Sequence, residues 1–154
     1  MRGKRRAGAL GALVLLVGVA SAWLMAANKA QEQTRDSATK AYNAGNYKDA
    51  YEVLRKLALD PKDDPLQVGN DLDLAIRCLR QLGNVDEIDD FREAVIAAHA
   101  RNWRLLQTAA LSYNNVDHYG YIVAGKFYRG HKRGGGRYVS TFDRDRTRAM
   151  QLMQ

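Results

Sequence analysis

Apolar residues recur along this chain at the spacing of a helix face. Tyr47, Ala50, Tyr51, Leu54 and the pair Leu57-Ala58 fall three and four residues apart, which sets them on one side of a helix. Ahead of them Ala38, Ala41 and Tyr42 form a shorter stripe that stops at Gly45, a residue suited to the position just past a helix end. Neither helix can bury its stripe alone, so the pattern predicts a helical hairpin turning at Gly45-Asn46. A second hairpin is expected 38 residues on, where Gly83, Val85 and Ile88 echo Gly45, Tyr47 and Ala50. Asp64 as N-cap and Pro65 as first helical residue announce its first helix, which turns Leu72, Ala75, Ile76, Leu79 and Leu82 inward. Its second helix starts at Asp86-Glu87 and carries Ile88, Phe91, Val95 and Ala98. A third unit begins at Asn102-Trp103, with Leu106, Ala109, Ala110 and Tyr113 on one side.

Two later stretches are harder to read. From Tyr119 to Tyr128, Val123 and Phe127 at i, i+4 favour a helix, whereas the alternation of Tyr121, Val123 and Gly125 allows a short strand. Because helical pairs precede it, helix is expected. Ser140 to Asp143 reads as a capping box with Asp in the acidic place, and the helix it opens runs to the last residue. Its apolar side, Phe142, Ala149, Met150, Leu152 and Met153, ends without a stop signal, which suggests a truncated fragment.

The first 27 residues have a different character. Arg2, Lys4, Arg5 and Arg6 precede 21 residues without a charge, Ala7 to Ala27, long enough as a helix to cross a roughly 30 Å hydrocarbon core. The positive flank leaves residues 1–6 in the cytoplasm and sends the body outside. The expected arrangement is a membrane anchor with the body on the non-cytoplasmic side and a lipid bilayer as partner for residues 7–27. Ala20-Ser21-Ala22 offers the alternative of signal cleavage and secretion. The fold class expected is therefore all-α: a transmembrane helix, then antiparallel helical hairpins in a short α-solenoid, with a Gly-rich loop before the last helix. Its divisions are an anchor at 1–27, a helical domain at 28–128, a Gly/Arg-rich loop at 129–139 and a final helix at 140–154.

Charge changes the picture less than its total suggests. The net charge is +7, but residues 1–6 carry +4 and residues 126–154 carry +6, which leaves −3 for the span between them. A mildly acidic body with basic ends argues against a cation-covered nucleic-acid binder. Lys132, Arg133 and Arg137 around Gly134-Gly135-Gly136 are candidate anion contacts for nucleic acid or lipid headgroups, with Tyr128 and Tyr138 as stacking platforms. They lack the order of a phosphate-binding loop, and export makes nucleic acid an unlikely partner, so a solvated connector is expected.

No constellation points to catalysis. Cys78 is the lone cysteine, which excludes an internal disulfide framework and a cysteine-based zinc site. Cys78 and Gln81 have the C-x-x-Q spacing of internal thioesters, but they sit mid-helix, where Cys78 is expected as a small core residue. His99, His118 and His131 lack metal spacing, and Asp86, Glu87, Asp89 and Asp90 suit the first turn of a helix. No enzyme activity and no cofactor are expected.

The stretch Gly45, Tyr47, Ala50, Leu54 and Pro61 resembles the tetratricopeptide repeat, with the proline about one residue early and Ala41 in the place of a usual tyrosine. This implies an interaction surface for a protein or peptide, and Lys40, Asn43 and Tyr47 are the candidate contacts. Residues 102–154 resemble the N-terminal region of large bacterial alpha-2-macroglobulin-like proteins, which trap proteases. The residues that carry this likeness are Asn102, Trp103, His118-Tyr119-Gly120, Arg129-Gly130, Arg133-Gly134-Gly135-Gly136, Arg144-Asp145-Arg146, Arg148-Ala149 and Leu152-Met153. It implies a helical region preceding further domains of a longer chain, anchored in the inner membrane of a bacterial cell envelope. The family's Cys-Gly-Glu-Gln thioester is not matched by Cys78-Leu79-Arg80-Gln81. The function expected is a non-enzymatic scaffold or protein-binding module, and the alternative is an anion-binding module working through the 129–137 loop.

Overall fold

The computed structural model describes residues 29–131 and 135–154. It opens on a helical stretch at 29–43, here α1, followed by α2 (Tyr47–Leu59), α3 (Val68–Gln81), α4 (Ile88–Ala98) and α5 (Trp103–Ser112). Three strands come next, β1 (Tyr119–Val123), β2 (Lys126–Arg129) and β3 (Arg137–Ser140), and then α6 (Phe142–Leu152).

The hairpin turns follow from the sequence signals. After α1 the Asn46 N–H donates to the Ala41 carbonyl at 2.9 Å, and after α3 the Asn84 N–H donates to Leu79 at 2.9 Å. In both turns the preceding glycine, Gly45 or Gly83, takes a positive φ that closes the helix end without a side-chain penalty. The two hairpins thus share one turn geometry, and the apolar stripes meet between them. Ala38, Ala50, Leu54, Ala58, Leu72, Ala75, Leu79, Phe91 and Val95 join one core, to which α5 adds Leu105 and Ala109. The alanines let the helices approach closely, while Tyr42 packs edge-on against Tyr47 at 5.4 Å and Tyr51 against Phe91 at 5.7 Å.

The all-α expectation is corrected by the sheet. Residues 119–128 form strands, and β1 pairs antiparallel with both neighbours in the order β2-β1-β3. The signal missed was the turn. Ala124 and Gly125 both have positive φ, at 49° and 82°, as a two-residue hairpin loop demands. With that turn in place, Val123 and Phe127 become positions on neighbouring strands. The sheet also leaves no room at Gly120, where an added Cβ would lie 2.2 Å from the Tyr128 carbonyl. Its span crosses the boundary placed between 128 and 129.

Smaller corrections concern helix ends. Asp64 caps a turn, its Oδ1 accepting the Leu66 N–H at 2.9 Å, and α3 itself begins at Val68. Leu82 follows α3 and is exposed. Ser140 belongs to β3, so Thr141 stands at the N-cap position of α6 without a side-chain capping bond, and the box expected from Ser140 to Asp143 is absent. Phe142, Met150 and Met153 of the α6 stripe are exposed, whereas Leu152 packs on the core. Among the described residues no helix is long and apolar enough to cross a membrane. The expected architecture of a membrane-spanning helix followed by hairpins alone is replaced by a helical array joined to a small sheet. Residues 7–27, on which the anchor expectation rests, lie outside the described residues.

Asn tolerates positive φ better than Ala and suits the first position of this type of turn, so Ala124→Asn is expected to stabilise the chain by about 0.5–1 kcal/mol. Urea denaturation followed by circular dichroism checks this.

Candidate functional site

The sequence offers candidate contacts at two places, Lys40, Asn43 and Tyr47 on the first hairpin and Lys132, Arg133 and Arg137 around the glycine run. Lys40 and Asn43 are exposed on α1, while Tyr47 is half-buried against Tyr42. Lys132 and Arg133 lie outside the described residues. Arg137 is exposed at the start of β3 opposite Ile122, and strand alternation turns it to the face opposite Tyr138. Tyr138 stacks on Tyr119 at 6.0 Å and meets Tyr121 edge-on at 5.9 Å, so the tyrosines of this face are spent largely on one another. Cys78 is a core residue of α3 whose thiol is pushed up to about 11 by burial, which leaves it a poor nucleophile. His99 is buried and its Nε2 donates to the Ala58 carbonyl at 3.0 Å. Among the described residues no cluster of His, Cys, Asp or Glu has the makings of a metal site.

What the structure does assemble is a buried ionic node that periodicity gave no hint of. Arg129 at the end of β2 is 2% exposed, and Asp145 in the first turn of α6 is fully buried. The guanidinium of Arg129 donates to both Asp145 oxygens at 2.9 Å and to both Asp89 oxygens at 2.9 Å. It also donates to the Asp117 carbonyl. Asp145 further accepts from the Thr141 hydroxyl at 2.9 Å and the His118 Nδ1 at 3.1 Å. Burial would push the Asp145 carboxyl up, but the donors from Arg129, His118 and Thr141 outweigh it and hold the group well below the usual carboxylate range. Burial likewise works against the Arg129 cation, and the two carboxylates reverse that and raise its pKa.

The node continues along α4. Arg92 is fully buried, donates to Asp89 at 3.0 Å and lies with its guanidinium carbon 3.6 Å from the centre of the Tyr113 ring. Its Nε and Nη1 have no hydrogen-bond partner among the described residues, so the ring face takes the place of acceptors. Burial lowers the Arg92 pKa, opposed by Tyr113 and Asp89. Tyr113 donates to Glu93 at 2.6 Å, and Arg148 of α6 holds Glu93 at 2.7 and 2.9 Å. Strand, α4, α5 and α6 are thereby fastened together. His118, Arg129, Arg144, Asp145 and Arg148 meet in this one place.

At the other end of the helical array, α1 and α3 flank a groove of about 410 Å³. Gln31, Arg35 and Thr39 line it from α1, Asn70 and Asp71 from α3 and Gln67 from just before α3, beside Leu54 and Leu74. Lys40, Asn43 and Tyr47 are not among its lining residues. Within the lining, Arg35 pairs with the buried Asp71 and also with the buried Asp63. One guanidinium cannot neutralise both, and Asp63 Oδ2 lacks a partner among the described residues. Burial, only partly offset by Arg35 and reinforced by the neighbouring Asp63, raises Asp71 to about 6.

The chain matches no family model, no curated protein and no solved structure.

The two carboxyls bend stability in opposite directions with pH. Asp71, raised from 3.8 to about 6, contributes stability that is complete below 3.8 and lost as pH rises through 6. Asp145, depressed from 3.8, contributes stability present above that value and lost as pH falls through its lowered pKa. Between pH 4 and pH 7 the native chain is expected to lose about 2 kcal/mol that Asp71→Asn does not lose, measured by urea unfolding at each pH.

Proposed function

We propose that this chain is a non-enzymatic scaffold or protein-binding module whose helical hairpins seat an extended segment of a partner in the groove between α1 and α3. The observation that carries this reading is the lining itself. Amide and hydroxyl groups from Gln31, Thr39, Gln67 and Asn70 stand among the carboxylates of Glu32, Asp36, Asp64 and Asp71, beside Leu54 and Leu74, a combination that can bond the N–H and C=O groups of an extended backbone. The strongly perturbed groups of the node support a structural role, since they are bonded to one another. The likeness of 38–61 to a tetratricopeptide hairpin and of 102–154 to macroglobulin-like proteins favours holding a partner or a following domain. The basic start and uncharged stretch at residues 2–27 support export of the body.

The anion-binding alternative is weakened because Arg129, the first cation of its loop, is consumed inside the protein. A peptide selected on the native chain is expected to lose at least tenfold in affinity to Gln67→Ala/Asn70→Ala, measured by fluorescence anisotropy. Equal affinity for both chains would remove the groove from the account.

A further inference from the structure

A second surface lies where the α2–α3 connector meets the start of α5. These segments wall a groove of about 660 Å³, with Pro61, Pro65 and Leu66 on one side and Trp103 on the other. Leu66 is 61% and Trp103 63% exposed, an unusual pairing of large apolar side chains in water. The walls are tied to each other before any partner arrives. Asn102 Nδ2 donates to the Pro65 carbonyl at 2.8 Å, while its Oδ1 caps the Arg104 and Leu105 N–H groups of α5.

The charge lining this groove has one sign. Arg101 and Arg104 are both exposed along it, and among the described residues no carboxylate lines it. The Arg104 guanidinium lies 4.6 Å from the centre of the Trp103 ring, so cation and anchor face stand together. The α1–α3 groove, by contrast, is lined by Glu32, Asp36, Asp64 and Asp71 and shares no lining residue with this one.

From this geometry we infer that the Leu66–Trp103 groove docks an acidic segment of a partner protein, one that presents a large apolar side chain flanked by Asp or Glu. The apolar side chain fills the space between Leu66 and Trp103, and the flanking carboxylates meet Arg101 and Arg104 at the rim. Tryptophan and arginine are the residues that most often dominate interface energetics, and a rigid groove limits the ordering cost of binding. This groove and the α1–α3 groove share no lining residue, although the 64–67 connector borders both.

The test pans a random peptide display library against the immobilised full chain, then compares the selected peptides on Trp103→Ala and on Arg101→Glu/Arg104→Glu. All three positions are exposed, and circular dichroism checks that each variant folds; Leu66→Ser probes the same wall if Trp103→Ala does not. Among the enriched sequences one class is expected to bind Trp103→Ala at least tenfold more weakly and to share one apolar anchor beside at least two acidic residues. The charge-reversed chain is expected to select the same anchor flanked by lysines. Absence of any Trp103-dependent class, or a Trp103-dependent class that is neutral or basic, would overturn the inference. So would sedimentation showing that the chain alone self-associates through Trp103, which would assign the groove to a second copy.

Discussion

A guanidinium that is 2% exposed and cannot shed its proton has to be met by anions wherever the chain folds around it, and Arg129 imposes that condition on four elements at once. It takes Asp145 from the first turn of α6, Asp89 from α4 and the Asp117 carbonyl from the segment before β1. Three short strands would be marginal alone. Bound through Arg129 to two helices, they become part of the same body as the hairpins. Asp145 is held in turn by Thr141 and His118, so the cap of α6 and the approach to β1 are set by the same charge. Removing one partner of such a pair costs about 3–5 kcal/mol, because the other is left buried and unmatched.

The opposite end of the molecule has the reverse imbalance. There Arg35 is outnumbered by Asp63 and Asp71, and one carboxylate oxygen goes without a partner among the described residues. The node near α6 spends its charges on internal fastening, whereas the α1 end carries a surplus of negative charge beneath an open groove. The sheet end is thus fastened by internal ion pairs, while the hairpins carry two open grooves whose charged lining differs in sign.

Much of the helical part was legible because burial there is apolar and periodic. Tyr47, Ala50, Leu54, Leu72, Ala75, Leu79, Phe91 and Val95 pack as their spacing implies, and Gly45 and Gly83 turn the hairpins. The sheet was obscured because its strands are short and its turn carries Ala124 where Asn or Gly would have signalled it. The node was invisible for a different reason. On α6 the inward positions are held by Asp145 and Arg148 as well as Leu152, so counting apolar residues pointed at Phe142, Met150 and Met153, which face solvent. Charges in a basic tail read as a solvated surface, and only the three-dimensional pairing of Arg129 with Asp89, forty residues away, reveals them as core. The groove runs along α1 through Arg35 and Thr39, and Lys40, Asn43 and Tyr47 are not in its lining.

Native-state hydrogen exchange on the full chain carrying Arg129→Lys addresses the dependence on this guanidinium most directly. Lysine keeps the charge but loses the fork that spans Asp145 and Asp89. Protection is expected to fall together in β1, β2, β3 and the first turn of α6, with α2 and α3 retaining theirs. Native-like protection across the strands and α6, or a uniform loss that includes α2 and α3, would contradict the account.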